Sequence, residues 1–240
     1  MLKILTALFA AGKLGKVALT GGTMLISVVA YAFVFGWWYA VGFVLLILVH
    51  EMGHYIAARR RGLNVGAPTF IPFLGAWVEL KDMPRDAEME AYVGIAGPLA
   101  GTAAALLCYF LARNYNSDLL LALSYAGFFI NLFNLIPLLP FDGGRITQVL
   151  SPRLWMLGVP VLGLLFLYRP SPMLILMALL AAPHVWHAIK SRKDATPENQ
   201  NYFAVSVEHR WSYGALYIGL AAYLAVMTYD VHEMLGALRP

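Results

Sequence analysis

An apolar run that harbours ionisable side chains is the chemical centre of this sequence. Residues 41–61 read VGFVLLILVHEMGHYIAARRR, so His50, Glu51 and His54 fall inside a stretch hydrophobic enough to enter a bilayer. On a helix, side chains four apart lie one above the other, and His50 and His54 therefore present their imidazoles to one point. Two neutral imidazole nitrogens at that spacing suit zinc. Glu51, next to the first histidine, can reach a zinc-bound water without ligating the metal. Such a water has a pKa lowered to about 7, and a carboxylate there takes its proton and later returns it. A structural reading, with the histidines bonded to backbone or to a neighbouring helix, has to account for Glu51 as well. Ionisable groups inside a membrane need partners and point to function.

A third ligand is available in Pro140-Phe141-Asp142-Gly143-Gly144-Arg145, which follows an apolar segment broken by Pro137 and Pro140. An aspartate beside two glycines suits a backbone that bends to aim one carboxylate. The competing role for Asp142 is a turn or N-cap residue for the helix after Gly144. With His50 and His54 already seeking a ligand, the metal role is preferred, and two histidines with one carboxylate leave the fourth zinc position for water. His184 and His187 lie three apart beside Pro183, but they lack a companion carboxylate and adjoin Lys190, Arg192 and Lys193. An interfacial or packing role suits them better.

The elements that position these groups are set by composition. Of 240 residues, 60% are hydrophobic and 12% charged, with a mean hydropathy of +0.69. A soluble domain carries roughly 25% charge, so this is a polytopic membrane protein, all-α, with about six to seven transmembrane helices. The single cysteine, Cys108, excludes an intrachain disulfide. The pI is near 9.2, yet no polar segment interleaves a basic run with stacking aromatics, and nucleic acid is not an expected partner.

Residues 2–19 are apolar pieces interrupted by Lys3, Lys13 and Lys16, expected as an interfacial amphipathic helix kept in the mature chain. Spans follow at about 17–35, 37–58, 91–112 and 119–139, then two shorter apolar pieces at 154–168 and 173–189, and a last span at 211–228. Residues 62–84, rich in Gly, Pro and aromatics with an alternating tail, read either as short β strands with an open edge or as an ordinary surface loop. Gly97 and Gly101 form a small-xxx-small pair in the third span, which closes helix packing. Asn131 and Asn134 share one face of the fourth, where amides must bond internally.

With the N-terminus inside and seven crossings, only Arg113, Arg169 and Arg239 remain outside, leaving 14 of the 17 basic residues within. The same arrangement sets Asp142 and the histidine pair at one depth, near the cytoplasmic face. The organisation is one integral-membrane domain over 1–240, with a catalytic core at 37–152 and a linker plus extra C-terminal span at 191–240.

On these residues the chain resembles the site-2 protease family of intramembrane zinc metalloproteases. The resemblance rests on His50-Glu51-Met52-Gly53-His54 in an early span, Gly97-Pro98 in the third, and Asn131 through Asp142-Gly143 in a later one, and covers about residues 37–152. It implies His50, His54 and Asp142 as zinc ligands and Glu51 as the catalytic base. It also implies that an asparagine of the Asn131/Asn134 stretch holds substrate or the developing oxyanion. The chain departs from the family pattern at Phe141, where Leu is usual, a change of packing more than of chemistry. Many members have Asn where this chain has Gly101. No insertion is long enough for a PDZ domain and the tail is too short for paired CBS modules, so a minimal core is expected.

The expected function is hydrolysis of peptide bonds in or near transmembrane segments of membrane-protein substrates, with Zn2+ as cofactor, in a prokaryotic plasma membrane. The alternative from another class is a non-catalytic membrane zinc-binding protein or transporter. Substrate identity and oligomeric state are not encoded in any motif.

Overall fold

A backbone N–H or C=O without a partner costs several kcal/mol in hydrocarbon, and a helix satisfies both within one segment. The apolar runs accordingly fold as helices. The computed structural model describes residues 2–73, 75–151, 154–190 and 201–237. In order these form α1 (Leu2–Phe35), α2 (Trp37–Arg60), β1 (Thr69–Ile71), β2 (Gly75–Trp77), α3 (Ala87–Tyr115) and α4 (Asp118–Asn134). They continue as α5 (Asp142–Thr147), α6 (Trp155–Tyr168), α7 (Pro172–Lys190) and α8 (Val207–Ala237). The protein is an all-α polytopic membrane protein with a small two-stranded sheet after its second helix.

Among the described residues four helices, α1, α2, α3 and α8, are long and apolar enough to cross a bilayer, while α4, α6 and residues 174–186 of α7 are apolar but shorter. At 1.5 Å per residue, α4 with 17 residues and α6 with 14 reach about 26 and about 21 Å, short of a hydrocarbon core of about 30 Å. The expected six to seven spans thus resolve into four full-length helices and three shorter ones. The α6–α7 pair packs together around Leu162, Met177 and Ala181.

Residues 2–19 do not form a separate interfacial helix, since α1 runs unbroken from Leu2 to Phe35. Leu, Ala and Lys are strong helix formers and no proline intervenes, so nothing local ends the helix before the span. A single residue, Gly36, then joins α1 to α2 at φ +84°, a conformation only glycine adopts at little cost. The hairpin is closed by aromatics: Tyr31 lies edge-on to Phe43 at 5.0 Å and Tyr39 stacks on Phe43 at 5.8 Å.

β1 and β2 pair antiparallel through Thr69↔Trp77, Phe70↔Ala76 and Ile71↔Gly75, with an isolated bridge at Val65↔Leu80. Between the two readings of residues 62–84, the strands prevail. α1 grips β1: Thr20 Oγ1 donates to Pro68 O at 2.7 Å, Phe70 N donates to Thr23 Oγ1 at 3.2 Å, and Phe73 N donates to Tyr31 Oη at 3.0 Å.

The core is α3 packed between α2 and α4, brought close by small residues. A Cβ on Gly53 would run into the Ala96 carbonyl, and one on Gly127 would come within 2.7 Å of the Ala105 methyl. α8 lies along α4 with Leu220, Leu224 and Val231 packed among Leu121 and Phe128.

Candidate metal centre

His50 and His54 are buried on α2 at 4% and 6% exposure, and Asp142, on α5, is buried as well. His50 Nε2 and His54 Nε2 lie 3.1 Å apart and stand 3.1 and 3.2 Å from the same oxygen, Asp142 Oδ2. Donors at about 2.0–2.1 Å around a tetrahedral ion stand about 3.3 Å apart, so the three atoms already have the spacing of three corners of such a site.

The other ring nitrogens settle what these atoms can do. His54 Nδ1 is 2.8 Å from the carbonyl of Val93, which can only accept, so Nδ1 carries the proton and Nε2 the lone pair. His50 Nδ1 donates to Asn131 Oδ1 at 2.8 Å, and the orientation of that amide is set by its Nδ2 donating to Gly127 O at 2.7 Å. Two Nε2 lone pairs and a carboxylate oxygen therefore converge with no proton to share. Such a triad of buried acceptors repels itself unless a cation lies between them, and two imidazoles plus a carboxylate are a donor set that zinc takes with one position open.

The loop that brings Asp142 to the histidines is built by close backbone approach. Asp142 does not act as an N-cap: Phe141 occupies that position without a side-chain cap bond, and the Asp142 carboxylate turns to His50 and His54. Gly143 and Gly144 are helical, not left-handed. A Cβ on Gly143 would collide with the Leu135 and Ile136 carbonyls, and one on Gly144 with the Leu138–Leu139 peptide. The glycines thus supply space where a bending backbone was expected. Thr147 Oγ1 donates to Gly143 O at 2.7 Å, and Trp155 Nε1 donates to Gly144 O at 2.8 Å. Phe141 packs edge-on to Phe133 at 5.1 Å, a packing role as its place in the motif implied.

Glu51 is 8% exposed, and among the described residues its carboxylate has no hydrogen-bond partner. Asn131, 2% exposed, is committed on both ends of its amide, whereas Asn134, partly buried at the end of α4, has no side-chain partner among the described residues. His184 is exposed, and the side chain of His187 lies outside the described residues. The sequence reading missed two supports. Gly97 and Gly101 do more than let helices approach: a Cβ on Gly97 would strike the His54 ring, and one on Gly101 the Asn131 amide. Their four-residue spacing was visible; that it copies the His50–His54 spacing was the unused signal. The Val93 carbonyl, a backbone group, has no signature in sequence.

The family model for Peptidase family M50 matches residues 38–118, which frame both histidines. "Zinc metalloprotease MJ0392" of Methanocaldococcus jannaschii is 33% identical over 123 residues, 48% of this chain and 35% of that protein. "Probable zinc metalloprotease EGY2, chloroplastic" of Oryza sativa subsp. indica is 24% identical over 211 residues, 68% of this chain and 38% of that protein. This chain thus spans little more than a third of the length of these two relatives. "Putative zinc metalloprotease MJ0611" of M. jannaschii is 29% identical over 175 residues, 58% of this chain and 88% of that protein. Among solved structures, "Site-2 Protease from Methanocaldococcus jannaschii" aligns with a TM-score of 0.46 at 21% identity, covering 72% of this chain and 88% of that one. The segment that matches Peptidase family M50 carries the two histidines, and the relatives it resembles are named zinc metalloproteases.

Proposed function

We propose that this chain is an intramembrane zinc metalloprotease that hydrolyses peptide bonds in or near transmembrane segments of other membrane proteins. The observation that carries the reading is the convergence of His50 Nε2, His54 Nε2 and Asp142 Oδ2, with no proton available between them, beside a buried Glu51 that makes no hydrogen bond among the described residues. Zinc bound there supplies a Lewis acid for the scissile carbonyl and a water whose pKa falls to about 7.

The chain's own residues do the rest. Glu51 accepts the proton of the attacking water and delivers it to the departing amide nitrogen. Asn134, whose amide has no partner among the described residues, donates to the oxygen on which negative charge develops. Asn131, engaged by His50 and Gly127, is a positioning residue and not that donor. Arg59, Arg60 and Arg61 end α2 about one turn beyond His54, and under the positive-inside rule this supports a site near the cytoplasmic face.

A substrate helix hides its carbonyls in its own hydrogen bonds, so it has to unwind before attack. The sheet offers replacement bonds on one side only. Phe70 N points out of the hairpin to Thr23, so α1 occupies the β1 edge. In the antiparallel register the backbone of Ala76, opposite Phe70, points out on the β2 side, and no described backbone group pairs with it. Ala76 packs in the cluster of Val44 and Ile47, about one turn before His50. An unwound strand added to β2 therefore runs past the metal site.

The test is zinc content and proteolysis in the same preparation, reconstituted with a membrane-spanning substrate that carries helix-breaking residues. Wild type and Glu51→Gln should each hold one zinc, and Glu51→Gln should lose at least about 100-fold in cleavage rate. Glu51→Gln cleaving at the wild-type rate would refute the catalytic role and leave a zinc-binding or transport protein. A rigid polyleucine span cleaved as fast as the helix-broken substrate would refute the unwinding step.

A further inference from the structure

The C-terminal helix α8 lies beyond the matched segment, and its first turns carry polar groups on a face that is otherwise apolar. Arg210, Tyr213, Gly214 and Tyr217 share that face with Leu220 and Leu224, and all of them turn toward the protein. Two of these side chains reach the ends of the segment that holds Asp142. Tyr217 Oη donates to Leu135 O, at the broken end of α4. Arg210 Nη1 donates to Leu150 O at 3.1 Å, while its Nη2 and Nε hold Phe203 O and Val205 O at 2.9 and 3.2 Å.

Asp142 lies midway between these two carbonyls in the chain. Neither Leu135 O nor Leu150 O receives a backbone N–H among the described residues. Leu135 is the C-cap of α4 and Leu150 lies in the turn after α5, and among the described residues the donors that satisfy both carbonyls come from α8. The middle of the segment has a further tie: Arg145 Nε lies 3.5 Å from Glu90 Oε1, and Tyr202, just before α8, donates its hydroxyl to Glu90 Oε2. Burial and the Glu90 carboxylate push the Tyr202 pKa far above its ordinary value, so this donor keeps its proton.

We infer that Tyr217 and Arg210 are positioning residues for the metal centre: α8 clamps the segment from Leu135 to Leu150 at both ends and so holds Asp142 at the distance from His50 and His54 that a bound ion needs. This inference rests on the metal-site reading above. It gives the C-terminal helix a role that the histidine motif does not contain. The clamp sets metal affinity and coordination geometry, which helix packing by itself would not.

The experiment uses the full chain in detergent micelles, with zinc affinity measured by chelator competition and the visible spectrum of the cobalt-substituted protein as a geometry reading. The variants are Tyr217→Phe, which removes one hydroxyl, Arg210→Gln, and the pair. Tyr223→Phe is the control, since it makes the same change on the exposed side of α8. The inference expects zinc binding weakened about 10-fold in each single variant and about 100-fold in the pair, in the range seen when partners that orient ligands are removed, with an altered cobalt spectrum and an unchanged control. Thermal stability lowered while zinc affinity and the cobalt spectrum stay at control values would overturn it and leave α8 as a packing helix. A wild type that binds no zinc would overturn the metal site itself, a failure distinct from the first because it appears without any variant.

Discussion

At the scale of single residues, what holds the far nitrogens of the two histidines leaves their Nε2 lone pairs free for the proposed metal. His54 is tied to a backbone carbonyl that no side-chain substitution removes, whereas His50 depends on the amide of Asn131. Asn131→Ala should therefore weaken zinc binding about 10- to 100-fold by freeing the His50 ring, with helix content intact, as measured by chelator competition and circular dichroism. Gly97 supports the other histidine by leaving room for it. A methyl group at position 97 would strike the His54 ring itself, so Gly97→Ala should displace that ligand and cut zinc content in the purified protein well below one per chain. Gly101→Ala should act one step removed, by pushing on Asn131, and its loss should resemble that of Asn131→Ala.

At the scale of elements, the short helix α5 and the strand β2 are the parts whose placement decides what the site can do. α5 has six residues and cannot stand alone, and its carbonyls at Gly143 and Gly144 are taken by Thr147 and by Trp155 from α6. Trp155→Phe leaves the Gly144 carbonyl without that donor and should cost about 1–3 kcal/mol, read as a lowered melting temperature of the metal-loaded protein. β2 makes a different prediction because its outward edge is unused by the fold. Proline at position 76 removes the outward N–H, so Ala76→Pro should slow cleavage of a helical substrate by 10-fold or more while zinc content stays at one per chain. Loss of zinc in that variant would place the damage in the fold and not in strand addition.

At the scale of the whole molecule, three helices packed around α3 enclose a cluster of acceptors, and the energetic consequence is that the folded protein is strained without its cation. Two imidazole lone pairs and a carboxylate held about 3 Å apart are poorly tolerated away from water. Zinc should therefore stabilise the native state strongly. With free zinc at 100 times its dissociation constant the gain is about 2.7 kcal/mol, so chelation should lower the melting temperature and re-addition restore it. Asp142→Ala, which removes the negative member of the triad, should narrow the difference between chelated and zinc-loaded samples.

Much of this was already settled by local sequence. The membrane class follows from composition, and the pairing of His50 with His54 follows from the helical period, which needs nothing beyond four residues of chain. Asp142 was reachable too, because it stands beside two glycines directly after an apolar segment broken by Pro137 and Pro140, where two histidines still lacked a third ligand. The rest depends on contacts between residues distant in sequence, and no local pattern encodes those. The proton that fixes the His50 tautomer is placed by a residue 81 positions away, and that of His54 by a carbonyl 39 positions away. The choice between cap and ligand for Asp142 waits on histidines 88 and 92 positions earlier. Whether Gly97 and Gly101 serve packing or the site, whether β1 or β2 keeps a free edge, and whether α8 bears on the metal are likewise decided where helices meet. Side-chain types and periods are properties of the chain, but the partner of a buried polar group is a property of the packed molecule.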